Sequence, residues 1–126
     1  MIADDHSSTR EGIRMILQTV PDVVVVGEAQ DGAEAQQRVV EPRPDILLLD
    51  LVMPDPRPMD IERWVREHVP ETTVLILKAH DRDHFLAQAV EARVDGYLTN
   101  RRILSQPYAV QRAVRNFHEL TFTTIR

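Results

Sequence analysis

Four consecutive apolar residues, Ile46-Leu47-Leu48-Leu49, closed by Asp50, constrain this chain more than any other feature. A strand with one wet face alternates apolar and polar residues. An unbroken run fits a strand covered on both faces. The rest of the chain supplies the cover. Short apolar runs alternate with amphipathic stretches, as in a parallel sheet whose crossovers are helices.

The first run, Ile2-Ala3, is cut off by Asp4-Asp5. From Thr9 to Thr19, Ile13, Ile16, Leu17 and then Val20 recur at helical spacing, and Pro21 ends the helix. Val23 to Val26 is an unbroken β-branched run that predicts the second strand, closed by Gly27-Glu28-Ala29. Asp31-Gly32 is a turn signal that also supplies a cap for a helix from Ala33 to Val40. Asp45 to Asp50 is the third strand. The loop Met53-Pro54-Asp55-Pro56-Arg57-Pro58 is too rich in proline for a helix interior. Met59 to Val69 resumes a helix, with Met59, Ile61, Trp64, Val65 and Val69 toward its buried side. Thr73 to Leu77 is the fourth strand, Asp83 to Ala92 a helix, and Asp95 to Leu98 a short fifth strand. Ser105 as cap and Pro107 in the first turn open a last helix that runs to Phe117. The tail, His118 to Arg126, has no clear period. Five strands and five helices in one domain follow.

Composition narrows the function. The 126 residues carry a formal net charge of -5, which argues against direct nucleic-acid binding, since that rests on clustered Lys and Arg. There is no cysteine, so disulfides and thiolate metal sites are excluded. No stretch has the length of a membrane span, and the start, Met-Ile-Ala-Asp-Asp-His, is acidic rather than a signal peptide. A cytoplasmic location fits these features.

In open parallel α/β sheets, ligands bind beyond the carboxyl ends of the strands. Asp4-Asp5 follow the first strand and Asp50 ends the third. In the flavodoxin-like order 2-1-3-4-5 those strands are neighbours, so three carboxylates converge in one crevice. They repel one another, and a hard divalent cation such as Mg²⁺, which takes carboxylate and water oxygens, resolves the repulsion. The bland alternative is that each acid caps the helix that follows. It suffices for Asp4 or Asp5 alone, but not for all three together.

These residues also carry a family resemblance. Ala3-Asp4-Asp5-His6 with Arg10-Glu11-Gly12-Ile13-Arg14 resembles the first βα unit of response-regulator receiver (CheY-like) domains, above all those joined to a LuxR-type helix-turn-helix output domain. Pro44-Asp45-Ile46-Leu47-Leu48-Leu49-Asp50-Leu51-Val52-Met53-Pro54 resembles the phosphoacceptor strand and loop, and Asp95-Gly96-Tyr97-Leu98-Thr99 the fifth strand. The likeness covers residues 1 to 117, which reads as the receiver domain, with 118 to 126 as a tail or the start of a linker. The first strand is several residues short for the family, compatible with a truncated start.

The resemblance implies a two-component signalling module rather than an enzyme, with Asp50 as phosphoacceptor and a sensor histidine kinase or a small phosphodonor as its partner. It implies Asp5 as direct Mg²⁺ ligand, Asp4 as its neighbour acting mostly through water, and Val52 offering its carbonyl. It implies Tyr97 as the switch aromatic. By analogy, a homodimer is expected. Two positions depart from the pattern. Lys78 stands where the fourth strand normally ends in Thr or Ser, and Asn100 stands where a lysine normally follows the fifth strand. Pro58 also replaces a glycine, so the loop after the phosphoacceptor is expected to take another path.

Lys78 reads either as a surface lysine whose head snorkels into water or as a counter-ion to Asp50; the missing lysine at position 100 favours the counter-ion. Arg101 and Arg102 read as solvated. His80 and His84 are four apart, but without an HExxH pattern they read as surface histidines, and His6 needs no special role. The leading reading is a receiver with an atypical pocket that binds Mg²⁺ weakly. The alternative is a pseudo-receiver that has lost phosphotransfer and serves as a dimerisation or docking module. A haloacid-dehalogenase-type phosphatase would need a second Asp where Val52 stands, and dinucleotide binding would need a Gly-rich turn after the first strand.

Overall fold

A computed structural model describes residues 1–50, 53, 56–78, 96–99 and 126, with Lys78 and residues 96–99 described by their backbone alone. The expected helices at Asp83–Ala92 and Ser105–Phe117, the tail before Arg126, and Leu51, Val52, Pro54, Asp55, His80, His84, Asn100, Arg101 and Arg102 lie outside the described residues.

The described elements are β1 (Ile2–Ala3), α1 (Ser7–Leu17), β2 (Glu28–Ala29), α2 (Gly32–Val39), β3 (Ile46–Asp50), α3 (Pro58–His68), β4 (Thr73–Lys78) and β5 (Gly96–Thr99). They form one sheet in the order β2-β1-β3-β4-β5, with every pairing parallel. This is the predicted flavodoxin-like order. Every residue of β3 is buried, as its unbroken apolar run requires.

Alternation along the strands divides the core. Ala3, Leu47, Leu49, Val74 and Ile76 pack with Ala35, Val39, Ile61 and Val65 of α2 and α3. Ile2, Ile46, Leu48, Leu75 and Leu77 pack with Ile13 and Leu17 of α1. Burying each of the Val, Ile and Leu side chains contributes roughly 1.5–3 kcal/mol, so the two layers rather than helix propensity hold the helices in place.

Local signals set the helix ends. Asp31 caps α2, its Oδ1 accepting from the Glu34 N–H at 2.8 Å. Pro58, assigned by the sequence to the loop, instead opens α3 and occupies its first turn, where its missing N–H costs nothing. Gly32 marks a close approach: a Cβ there would overlap Ile61 Cδ1 and come within 3.0 Å of the Pro56 carbonyl oxygen.

One strand prediction is corrected. Val23–Val26 does not form the second strand; β2 is Glu28–Ala29. Ile2 pairs with Glu28 and Ala3 with Ala29, so the ladder with β1 is formed after the valines. Val23 makes an isolated bridge, and residues 24–27 lie outside any strand. Val23 and Val25 pack against the layer that holds Leu17, Ile46 and Leu48, and Val24 is about half exposed.

Candidate acidic site at the carboxyl edge of the sheet

Register builds the site. Ala3 pairs with Leu49, so the next residue of each strand, Asp4 and Asp50, comes to the same edge side by side. Both are buried, at 1 % and 7 % exposure. Asp5 and His6 continue from Asp4 into more open positions before α1 starts at Ser7. One ligand atom from each of Asp4, Asp5, His6 and Asp50 lies within 4.8 Å of the others.

The loop between β1 and α1 is shaped by its own polar groups. Asp4 Oδ1 accepts from the His6 N–H at 2.8 Å, an Asx turn that aims the chain into the helix. His6 Nδ1 lies 2.9 Å from Asp5 Oδ1 and 3.4 Å from Asp4 Oδ1. Asp4 therefore does two things that the sequence presented as alternatives: it shapes a helix entry and it joins the cluster.

The sequence reading set His6 aside, yet its ring nitrogen stands among the carboxylates. The available signal was position alone: it follows Asp5 at the end of a strand that points into the crevice. Among the described residues, the side-chain nitrogen set against the Asp4 and Asp5 carboxylates belongs to His6 rather than to a Lys or Arg. Closely gathered hard oxygens of like charge fit a divalent cation, and Mg²⁺ in particular, which needs only one or two carboxylates beside its waters.

The remaining predicted site residues are less fully placed. Asp50 is in register with Leu77, so the Lys78 backbone lies one step further toward the same edge, opposite Thr99. Tyr97 lies on β5 in register with Ile76. Val52 and Asn100 fall outside the described residues.

With fold and site in place, comparison decides the family. Residues 1–103 match the family described as response regulator receiver domain. The chain belongs to that family. It is 41 % identical over 99 residues to the oxygen regulatory protein NreC of Staphylococcus epidermidis, covering 78 % of this chain and 45 % of that protein. The chain thus spans about half the length of the curated relatives it matches. A two-component response regulator of the LuxR family from Aurantimonas superposes with a TM-score of 0.79 at 32 % identity, covering 92 % of this chain and 84 % of that one. The signal receiver domain of a NarL response regulator from Mycobacterium tuberculosis superposes at 0.75 and 33 % identity, covering 90 % and 93 %. This is a receiver of the kind found in LuxR-type regulators. Among the described residues no helix is long and apolar enough to cross a membrane.

Proposed function

We propose that this receiver takes a phosphoryl group on Asp50 from a sensor histidine kinase or a small phosphodonor, with Mg²⁺ held by Asp4, Asp5, Asp50 and the Val52 carbonyl. The observation that carries the reading is the convergence of buried Asp4 and Asp50 with Asp5 at one sheet edge. In the transfer, an Asp50 carboxylate oxygen attacks phosphorus. The P–N bond of the donor phosphohistidine breaks, and its electron pair leaves with the imidazole, which takes up a proton. When bound, the cation neutralises charge on the phosphoryl oxygens. Asp4 and Asp5 orient ligands, and burial of Asp50 restricts the water that would hydrolyse an acyl phosphate. The chain is a signalling module whose output, in the longer proteins it resembles, would be control of transcription. Residues 1–117 form the receiver, residues 118–126 are a tail or the start of a linker, and the module works in the cytoplasm as a homodimer.

The direct test is incubation with acetyl phosphate and Mg²⁺, read by intact mass. One phosphoryl group on the wild-type chain and none on Asp50→Asn is the expected result. An unmodified wild type would overturn it.

A second reading rests on Lys78 and Asn100. With Lys78 one register step beyond Leu77, its stem is long enough to bring the ammonium within about 4 Å of Asp50, the ion-pair limit. A counter-ion there would crowd the incoming phosphoryl group and compete with Mg²⁺, while the usual hydroxyl and lysine are missing. Phosphorylation would then be slow, and protein contacts would carry the signal, as in a pseudo-receiver. Lys78→Thr with Asn100→Lys should raise the phosphorylation rate and tighten Mg²⁺. A wild type already phosphorylated quickly and to completion would remove this reading.

A further inference from the structure

We propose that Arg10 is a positioning residue for the acidic site: it fixes the main chain of Asp4 and so sets Asp4 and Asp5 beside Asp50. The inference rests on the reading of that site as a metal-binding phosphoacceptor pocket.

Asp4 is one residue past the end of β1, where the sheet stops supplying partners on both sides. Its N–H is still held by the sheet, donating to Ala29 O at 3.0 Å. Its carbonyl is held by a side chain: Arg10 Nη1 donates to Asp4 O at 2.6 Å. With the Asx turn to His6, both main-chain groups and the carboxylate of Asp4 are anchored, and among the described residues Arg10 is the side chain that holds its main chain.

Arg10 can do this because of where it sits. It lies in the first turns of α1, and helical side chains lean toward the helix N-terminus, which here is the Asp4–His6 loop. The guanidinium is itself held. Its Nε donates to Glu28 Oε1 at 3.2 Å, and the side chain is only 18 % exposed. Glu28 is fixed in turn by the β1–β2 register, by Arg14 Nε at 3.5 Å from Oε2, and by Arg38 Nη1, which donates to its carbonyl at 2.6 Å. A planar fork spanning a carbonyl and a carboxylate is a task for Arg rather than Lys. The described partners of Arg10 are Glu28 and the Asp4 carbonyl rather than a carboxylate of the site, so it adds order there without consuming the charge that a cation would need.

The test uses Arg10→Gln, Arg10→Lys and Glu28→Gln, with two readouts. Calorimetric titration gives Mg²⁺ affinity, and amide hydrogen exchange reports on the His6 N–H against the core amides of Leu47 to Leu49. Arg10→Gln should weaken Mg²⁺ about tenfold, as loss of groups that orient metal ligands commonly does. His6 exchange should speed up while the core amides stay unchanged. Arg10→Lys should recover part of the loss, and Glu28→Gln, which leaves the bond to Asp4 O, should show the smallest effect. Unchanged His6 exchange and Mg²⁺ affinity in Arg10→Gln would overturn the proposal, as would core amides that speed up together with His6. If the wild type binds no Mg²⁺, the metal reading fails by itself, and the exchange pattern still decides whether Arg10 holds the loop.

Discussion

The two edges of the sheet handle polar groups in opposite ways. At the amino edge several polar groups are matched to neighbours. The Met1 amino group donates to Ile46 O at 2.9 Å, Thr72 Oγ1 to Pro44 O at 2.6 Å, and Arg126 N–H to Asp45 Oδ2 at 2.9 Å. At the carboxyl edge, groups of like charge are gathered instead: Asp4, Asp5 and Asp50, with His6 among them. The same strands make both edges, so the contrast is not a property of the fold alone. Polar groups matched to one another stabilise the folded chain. Acids held close together repel one another, a cost that pairing or a bound cation offsets.

The largest expected effect breaks the amino edge. Burial pushes the Met1 amino group down from 8.0 to about 5, while the carboxylate of Asp45 pulls weakly the other way. Between those values the unfolded chain takes up a proton that the folded chain refuses. Stability is therefore full above pH 8 and is lost as pH falls toward 5, by about 4 kcal/mol for a shift of this size. Urea melts of the chain beginning at Met1, run at steps from pH 8 to pH 5, should trace that loss. A flat profile would mean that the amine is hydrated rather than buried.

A second prediction concerns what holds the carboxyl edge together, which is packing rather than charge. At Gly32 an added Cβ meets both Ile61 Cδ1 and the Pro56 carbonyl. The side chain can turn aside, but the backbone oxygen cannot. Gly32→Ala should cost about 1–3 kcal/mol despite the better helix propensity of Ala. A melting temperature at or above that of the wild type would show that the loop before α3 yields easily.

How much of this was legible beforehand follows from the range of the forces involved. The Ile46–Asp50 run, the Asp31 cap and the strand order could be read because each rests on neighbours in sequence or on connection rules. The convergence of Asp4 and Asp50 followed from that order. What was missed depends on partners far along the chain. Val23–Val26 has every local mark of a strand, yet within it only Val23 makes a bridge. Glu62 is a charged residue on the buried side of α3, with Arg66 one turn on bonded to its carboxylate, Nε to Oε1 at 2.9 Å. Trp64 was expected to be partly buried, and it is, but its ring also stacks on His68 with centroids 4.3 Å apart. No sequence period announces that Arg10 reaches Asp4 O and Glu28 together.

Returning to the amino edge, Thr72→Val keeps the shape of the side chain and removes its hydroxyl. The Pro44 carbonyl would lose a buried donor, with an expected cost of about 1 kcal/mol in urea melts. Thr73 is the internal control. Its Oγ1 is buried without a hydrogen-bond partner among the described residues, so Thr73→Val should be neutral or stabilising. Equal losses at the two positions would mean that the hydroxyl of Thr73 is satisfied after all, and that Thr73 is no control for the matched pair at Thr72.

The smallest effect carries the opposite sign and belongs to the carboxyl edge. Asp5→Asn removes one negative charge from the cluster while leaving an amide oxygen to accept from His6 Nδ1, now 2.9 Å from the carboxylate. Asp5 is about a third exposed, so solvent screens its repulsion with Asp4 and Asp50, and relief should be worth less than about 1 kcal/mol. Without Mg²⁺ the variant should therefore be slightly more stable than the wild type, and added salt should shrink the difference. With saturating Mg²⁺ the order should reverse, because the wild type gains binding energy that the variant has lost. The crossing of the two stability curves is the informative result, since ordinary loss of a packed side chain lowers stability in both conditions. A variant less stable with and without the cation would show that Asp5 acts as a structural partner of His6, and the contrast between the two edges would then rest on Asp4 and Asp50 alone.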